Sequence, residues 1–124
     1  MRRAWRAFAG TVLAVTAAVA LGHHSAAMFD NTKVLTLTGT VREFQWTSPH
    51  CYIQLLQGGT PVPEEWSLEM AAPMYLYRLG WRPSTLKAGD KITVRLNPLR
   101  DGSHGGLLVQ ATTPDGRQLG SRMP

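Results

Sequence analysis

The chain of 124 residues contains a single cysteine, Cys51. One cysteine excludes an intramolecular disulfide and a zinc cluster built on thiolates. Charged residues are also few, at 17%, whereas 44% of the residues are hydrophobic, a balance that argues against general disorder. The length has room for one domain, which must be stable without covalent cross-links.

Catalytic signatures are missing as well. Neither Gly-Gly pair is followed by the Lys-Ser/Thr that a phosphate-binding loop requires. Glu65 and Glu69 lie four residues apart on one face of a predicted strand, where carboxylates are usually solvated surface. Cys51 alternates with apolar residues, as a buried small hydrophobe does. Because no nucleophile, base and acid can be assembled, we expect that the protein is not an enzyme.

A long membrane-spanning run is absent, although the chain begins with an apolar segment. Arg2, Arg3 and Arg6 stand in the first six positions, and residues 7–22 then carry no charge. A basic start followed by an apolar run is typical of a secretory signal peptide. The run has 16 residues, fewer than the roughly 20 needed to cross a bilayer as a helix. We therefore predict a signal peptide over residues 1–22, which meets the membrane only before its cleavage.

The cleavage site decides which residue begins the mature chain. Signal peptidase needs small residues at the first and third positions before the cut. Three tripeptides meet this condition: Ala18-Val19-Ala20, Ala20-Leu21-Gly22 and Ser25-Ala26-Ala27. We favour cleavage after Gly22, which leaves residues 23–124 as one periplasmic domain that begins with His23. Cleavage after Ala27 would remove both histidines that follow Gly22.

The net charge depends on this cleavage. The whole chain has 13 Lys and Arg against 8 Asp and Glu, a formal charge of +5 that by itself would suggest a nucleic-acid partner. Removal of residues 1–22 leaves ten basic and eight acidic residues, a charge of +2. Phosphate binding depends on several basic contacts, so we expect no nucleic-acid partner for the exported chain.

Residues 23–124 show the period-two alternation of β-strands in five segments. The alternating apolar sets are Leu35-Leu37-Val41, Cys51-Ile53-Leu55, Trp66-Leu68-Met70, Ile92-Val94-Leu96 and Leu107-Val109-Ala111. Between the third and fourth sets, Pro73 and Gly80 suit the first position and the C-terminal cap of a short helix. The phase of the first segment slips before Phe44, which indicates a β-bulge, and Gly39 would allow a bend.

This order of elements predicts the fold class. Three strands, a short helix and two strands, with a long bent first strand, match a small five-stranded OB-like barrel. A small open β-sandwich is the alternative. After the closing turn at Pro114-Asp115-Gly116, we expect the tail to fray.

The histidines are the most distinctive nitrogen donors. In a chain that begins at His23, the terminal amine and the adjacent imidazole form a bidentate chelate. A third nitrogen completes the T-shaped arrangement called a histidine brace, and Cu(II) favours such tetragonal nitrogen ligands. We predict a copper-type metal site at His23, His24 and His50, with His104 as the other possible source of the third nitrogen. Cleavage after Ala20 would instead place His23 third, in a square-planar chelate built on backbone nitrogens.

Blander interpretations remain open for each histidine. The pair at the start can be an exposed polar terminus, and His50 can satisfy a backbone group in its own turn. The alternative function is a protein- or glycan-interaction domain without metal, in which Trp46 and Trp66 line the OB binding face. Core packing is the simpler explanation for those tryptophans. With or without a metal, we expect the partner to be an unidentified periplasmic protein or small ligand.

Several motifs resemble those of a family of short exported bacterial proteins that is classed only as a domain of unknown function. They are His23-His24-Ser25, Met28-Phe29-Asp30, Leu37-Thr38-Gly39-Thr40-Val41, Trp46-Thr47-Ser48-Pro49-His50, Trp66, Leu79-Gly80-Trp81, Leu86-Lys87-Ala88-Gly89-Asp90 and Arg100-Asp101-Gly102. The resemblance covers His23 to about Leu119. Two departures are Ser48, where an Asn-Pro-His turn is usual, and Ala26, where a larger residue is common. The resemblance implies a signal peptide that ends before His-His-Ser, a periplasmic location and an OB-like β domain, and no established activity.

Overall fold

The computed structural model describes residues 26–121. The predicted signal peptide, His23 and His24 lie outside the described residues. A 3-10 turn at Ala26–Met28 precedes six strands and one helix. These are β1 (Leu35–Gln45), β2 (Tyr52–Gln57), β3 (Glu64–Glu69), α1 (Pro73–Arg78), β4 (Lys91–Pro98), β5 (Gly105–Thr112) and β6 (Gln118–Gly120). No helix in this part of the chain combines the length and the apolar character that a membrane crossing needs.

The strands form one sheet that closes on itself. Their order is β3-β2-β1-β4-β5-β6, with antiparallel neighbours throughout. A parallel pairing of β3 with β5 closes the first five strands into a barrel, and β6 adds to the outer edge of β5. The prediction of a mainly β, five-stranded OB-like barrel with a short helix between the third and fourth strands is confirmed. The open β-sandwich is not formed.

The barrel interior contains the residues that the alternation placed inward. Ile53 and Leu55 of β2, Leu68 of β3, and Val94 and Leu96 of β4 are all fully buried. Apolar burial on this scale is the main source of stability in a domain without disulfides.

Cys51 also lies in this core, as predicted, with no exposed surface. Burial raises the pKa of its thiol, while a weak bond to the carbonyl of Thr47 acts in the opposite direction. A buried thiol with a raised pKa is a poor nucleophile.

The predicted bulge in β1 is present. Val41 pairs with Leu55 and Glu43 pairs with Gln54, so Arg42 is the extra residue. Gly39, two residues before Val41, is required for a steric reason, because a Cβ there would collide with the carbonyl oxygen of Leu56 on β2.

Two expectations about the C-terminal third are wrong. The segment after the turn at residues 114–116 does not fray at once but forms β6, because Leu119 packs into the core. The apolar alternation of β5 also breaks, since Leu96 pairs with Leu108 while Arg95 pairs with Gln110. This second bulge leaves Val109 as the extra residue and turns Leu108 into the barrel, where it is fully buried.

Candidate functional site

Glu69, the last residue of β3, lies between two surface cavities. The residue is only 9% exposed, so the expectation of a solvated strand carboxylate is wrong for it, whereas Glu65 is exposed as expected. The difference arises from barrel closure, because Glu69 pairs with Tyr52 on β2 and with Leu107 on β5. Alternation along one strand cannot reveal which outward positions gain such neighbours.

His50 is held against the end of β3 by backbone pairing. Beyond the two strands, the amide of Cys51 donates to the carbonyl of Ala71 and the amide of Met70 donates to the carbonyl of Cys51. These bonds place His50 beside Met70, whose carbonyl oxygen lies 3.0 Å from the ring Nδ1. The imidazole therefore satisfies a backbone group, but one across the sheet rather than one in its own turn.

This contact defines the proton on the His50 ring. A carbonyl oxygen only accepts, so Nδ1 carries a proton and donates it to Met70. The Oε1 atom of Glu69 lies 3.5 Å from the same nitrogen. In the neutral ring, Nε2 then carries the lone pair, and this atom makes no hydrogen bond to any residue that the structure describes. The side chain is 41% exposed, and Nε2 is its candidate nitrogen donor.

An open depression of about 440 Å³ adjoins His50 and Glu69. Its other walls are mostly apolar and come from the end of β3, helix α1, β5 and the end of β6. They are Met70, Ala71, Tyr75, Leu107 and Ser121. Within this largely apolar depression, the His50 imidazole and the Glu69 carboxylate are thus the groups that can carry charge or bind a metal.

A smaller cavity of about 180 Å³ lies on the other side of Glu69. Its polar lining includes Tyr52, Ser67 and His104. Burial raises the pKa of the Tyr52 phenol, and the Glu69 carboxylate raises it further. Tyr52 is therefore a neutral hydrogen-bond donor at physiological pH.

His104 lies on this second cavity and not on the first. Its ring stacks on Trp66 with a centroid distance of 4.9 Å. Its Nε2 lies 3.7 Å from Oε2 of Glu64, and both side chains are about half exposed. The two histidines that were candidates for a third nitrogen therefore line different cavities, which share Glu69.

The first described residues cross the smaller cavity. Met28 and Phe29 line it, and Phe29 forms a β-bridge with Leu99. The Arg100 amide donates to the carbonyl of Met28 at 2.9 Å, and the guanidinium of Arg100 donates to the carbonyl of Ala27 at 2.9 Å. This anchoring brings the chain that follows His23 and His24 to the cavity that Glu69 lines.

Asp30 also fixes the first described residues to the barrel, through its side chain and its backbone amide. Its carboxylate accepts bonds from the Thr32 hydroxyl at 2.6 Å and the Thr32 amide at 3.1 Å, and these bonds hold the pKa of Asp30 below its ordinary value of 3.8. Lys33 and Arg100 lie within ion-pair distance. The backbone amide of Asp30 donates to the carbonyl of Pro98 at 2.8 Å.

Asp30→Asn should therefore destabilise the protein in a pH-dependent way. A lowered folded-state pKa adds stability above the ordinary value of 3.8, and this stability is lost as the pH falls below that value and through the lower pKa of the folded state. The difference in Tm between wild type and Asp30→Asn is expected to be largest near neutral pH and to shrink in more acidic buffer. Glu43→Gln, at an exposed position, controls for the general loss of one carboxylate. A difference in Tm that stays constant with pH would contradict the prediction.

The structure does not bring Trp46 and Trp66 together as one aromatic pair. Trp46 packs edge-on against Phe44 with a centroid distance of 5.8 Å, whereas Trp66 stacks on His104. Both tryptophans are half-buried and pack against the core. The Nε1 atom of Trp66 is buried without a hydrogen-bond partner.

Within residues 26–121, no three His, Cys, Asp or Glu side chains converge as a ready metal site. His50 and Glu69 form a pair, and His104 and Glu64 form another. Sequence reasoning found the two histidines but missed both carboxylate partners. In the sequence, Glu69 directly precedes Met70 at the end of an alternating strand. This position does not indicate that the carboxylate lies beside His50.

Comparison with known proteins places the chain in a family without assigning a function. No curated protein matches it, and no solved structure does. A family of unknown function, DUF6152, matches residues 11–110, about four fifths of the chain. The match runs through the barrel into β5 and includes His50, Glu69 and His104. The chain therefore belongs to the DUF6152 family of unknown function.

Proposed function

We propose that this protein is a periplasmic, non-enzymatic binding module that holds a copper-type metal through His23, His24 and His50. His23 supplies the terminal amine and an imidazole, and His50 supplies the third nitrogen. Cu(II) stands at the top of the divalent affinity order and accepts this set of nitrogen ligands. In this proposal the site stores or carries the metal.

The geometry of His50 is the observation that carries this proposal. Histidines that bind metals almost always donate their other ring N–H to a carbonyl or carboxylate, which fixes the tautomer and the ring orientation. His50 donates through Nδ1 to the Met70 carbonyl at 3.0 Å and lies beside the Glu69 carboxylate. Nε2 is left with a lone pair on a partly exposed ring.

The short segment between His24 and Met28 supports an approach of the N-terminal histidines to the barrel. Met28 and Glu69 line the same cavity, and Glu69 is 3.5 Å from His50. The four residues from His24 to Met28 extend up to about 14 Å. A terminus that begins at His23 is thus tethered within a short length of chain of the cavity that Met28, Glu69 and His104 line, and such tethering favours chelation over binding by separate imidazoles.

An intact-mass measurement of the exported protein tests the proposal. We expect a chain that begins at His23 and a mass that rises by one copper when one equivalent of Cu(II) is added. The His23→Ala, His24→Ala double variant should show no such adduct. A mature chain that begins at Met28, or equal copper uptake by the double variant, would refute the proposed site.

The result also bears on the alternative without metal. If the wild-type chain takes up no copper and its capture of a periplasmic protein depends on Trp46 or Trp66, then the interaction-domain alternative is the better description.

A further inference from the structure

We infer that the open depression beside helix α1 is a binding site for a small amphiphilic amine, a molecule with one ammonium group on a compact apolar body. The ammonium group pairs with Glu69, and the apolar body packs on the surrounding wall. The inference goes beyond the proposed copper site and needs neither a metal nor the residues before Ala26. It rests on the volume of the depression, its apolar lining and two buried polar groups that have no hydrogen-bond partner.

The Glu69 carboxylate is the first of these groups. Its side chain is only 11% exposed, and it accepts no hydrogen bond from any residue between 26 and 121. Nδ1 of His50 lies 3.5 Å from Oε1, but its proton is donated to the carbonyl of Met70. No Lys or Arg among the described residues lines the depression or forms an ion pair with Glu69. A carboxylate in these surroundings is stabilised by a cation that brings its own hydrogen-bond donors.

The hydroxyl of Ser121 is the second group. Ser121 is only 2% exposed, and its Oγ is buried without a hydrogen-bond partner in the part of the chain that the structure describes. Its backbone amide donates to the carbonyl of Val109 at 3.2 Å, which holds the residue against β5 at the wall of the depression. Buried polar side chains in native proteins nearly always have a partner. Carboxylate and hydroxyl oxygens both accept hydrogen bonds, so a ligand that carries N–H donors suits this wall.

The rest of the lining determines the body of the ligand. Met70, Ala71 and Leu107 are apolar, and Tyr75 adds an exposed aromatic residue. The volume of about 440 Å³ falls within the range of about 300–1,000 Å³ that is usual for small-molecule sites, in which apolar walls surround a few polar groups. The lining therefore favours a compact apolar body, and the charge of Glu69 favours a cation over a carboxylate or a phosphate.

Glu69 also lines the smaller cavity, but two observations favour the depression. The smaller cavity has a volume of about 180 Å³, which is below the range of about 300–1,000 Å³ for small-molecule sites. The unpartnered hydroxyl of Ser121 belongs to the lining of the depression and not to that of the smaller cavity. The location of bound amine therefore distinguishes the two.

Titration of the metal-free mature chain with phenethylamine tests the inference. Two probes of almost equal size are compared with it: phenylethanol has a neutral hydroxyl in place of the ammonium group, and hydrocinnamate has a carboxylate. Amide NMR spectra give both the affinity and the location. The amine should bind about 10-fold or more tightly than the alcohol, because hydrogen bonds to charged groups are stronger than neutral ones. Hydrocinnamate should not bind, and the shifts should lie at Ala71, Leu107 and Ser121.

Variants assign the contributions of the two polar groups. Glu69→Gln keeps the shape of the side chain and removes its charge, so the affinity for phenethylamine should fall about 10–100-fold, to that of the alcohol. Glu65→Gln, at an exposed position of the same strand, is the matched control and should bind as wild type does. Ser121→Ala should weaken binding by about 2–10-fold, as expected for one neutral hydrogen bond. The Tm of each variant shows that it is folded, and the comparison of three probes on wild type needs no variant.

The outcomes separate this site from the copper site. Equal affinities of wild type for the amine and the alcohol, or unchanged amine affinity in Glu69→Gln, would overturn the inference. Shifts at Ser67 and Gly105 instead would overturn the choice of the depression. The His23→Ala, His24→Ala double variant should bind phenethylamine as wild type does, although it is expected to take up no copper. A wild-type chain that takes up copper but binds no amine would overturn this inference and leave the proposed function intact.

Discussion

A mature chain that carries one extra residue before His23 is expected to bind Cu(II) at least about 100-fold more weakly than the chain that begins at His23. Loss of a group that only hydrogen-bonds to a metal ligand can weaken metal binding by up to that factor, and here a ligand itself is lost. The extra residue converts the terminal amine into an amide and moves the new amine away from the His23 ring. The imidazoles of His23 and His24 stay in place. The two-point chelate that defines the brace is lost.

Competition with a chelator measures the two affinities, and EPR reports the number of nitrogens on the copper. The double variant His23→Ala, His24→Ala gives the affinity without the imidazoles, so the extended chain should fall between it and the wild type. If the extended chain binds as tightly as the wild type, the amine is not a ligand and the histidines act as separate imidazoles.

A chain cut after Ala20 provides an internal comparison. It begins Leu21-Gly22-His23, in which the amine, two amide nitrogens and the imidazole can surround copper in one plane. That chelate needs no nitrogen from the barrel. Its affinity should therefore be insensitive to His50→Ala, whereas the chain that begins at His23 should be sensitive to it.

The order of the elements could be predicted because alternation records the inside and outside of each strand. Leu55, Leu68 and Val94 face inward where the pattern placed them, and each is fully buried. The bulge in β1 could be predicted for the same reason, since an extra residue shifts the phase of all that follow. These properties depend on one strand at a time, so the sequence of that strand is enough to predict them.

Barrel closure was harder to locate because it depends on residues without side chains. Two adjacent glycines are an ordinary turn signal in a sequence, but Gly105 and Gly106 both lie in β5, where they pair with β3. A Cβ at Gly106 would collide with the carbonyl oxygen of Asn97 on β4. Glycine is required here by a close approach of two backbones, and a sequence pattern does not distinguish this requirement from a turn.

The candidate site was predictable in part for a related reason. His50 and His104 attract attention as donors, but the carboxylate beside each one comes from β3, which is distant in sequence. Glu64 and Glu69 are both polar residues of one strand, and only the closure of β3 onto β5 buries one and leaves the other exposed. Residues that gain function from a tertiary neighbour carry no local signature.

The strand β6 was missed because a single apolar residue, Leu119, marks it. Three residues are too few to show alternation, and the stabilising contact comes from elsewhere. The indole Nε1 of Trp81 donates to the carbonyl of Gly120 at 2.8 Å. Trp81 follows helix α1, so this bond joins the helix connection to the end of the chain.

Trp81→Ala is accordingly expected to lower the free energy of unfolding by about 3–5 kcal/mol, the usual cost of removing a buried aromatic side chain. Trp81 has no exposed surface and packs against Phe44 at a centroid distance of 5.8 Å. Domains of this size are stable by about 5–15 kcal/mol, so the variant loses a large part of that margin. Urea denaturation followed by circular dichroism measures the change.

Two further variants separate packing from the hydrogen bond. Trp81→Phe keeps most of the ring but loses the donor, so it should cost about 1–3 kcal/mol and increase hydrogen exchange at the β6 amides more than at β2. Met74→Ala, at a position 59% exposed on α1, should change stability by less than about 0.5 kcal/mol. If Trp81→Phe were as stable as wild type with β6 still protected, Leu119 alone would hold the last strand. The bond to Gly120 would then contribute nothing to the order of the chain end.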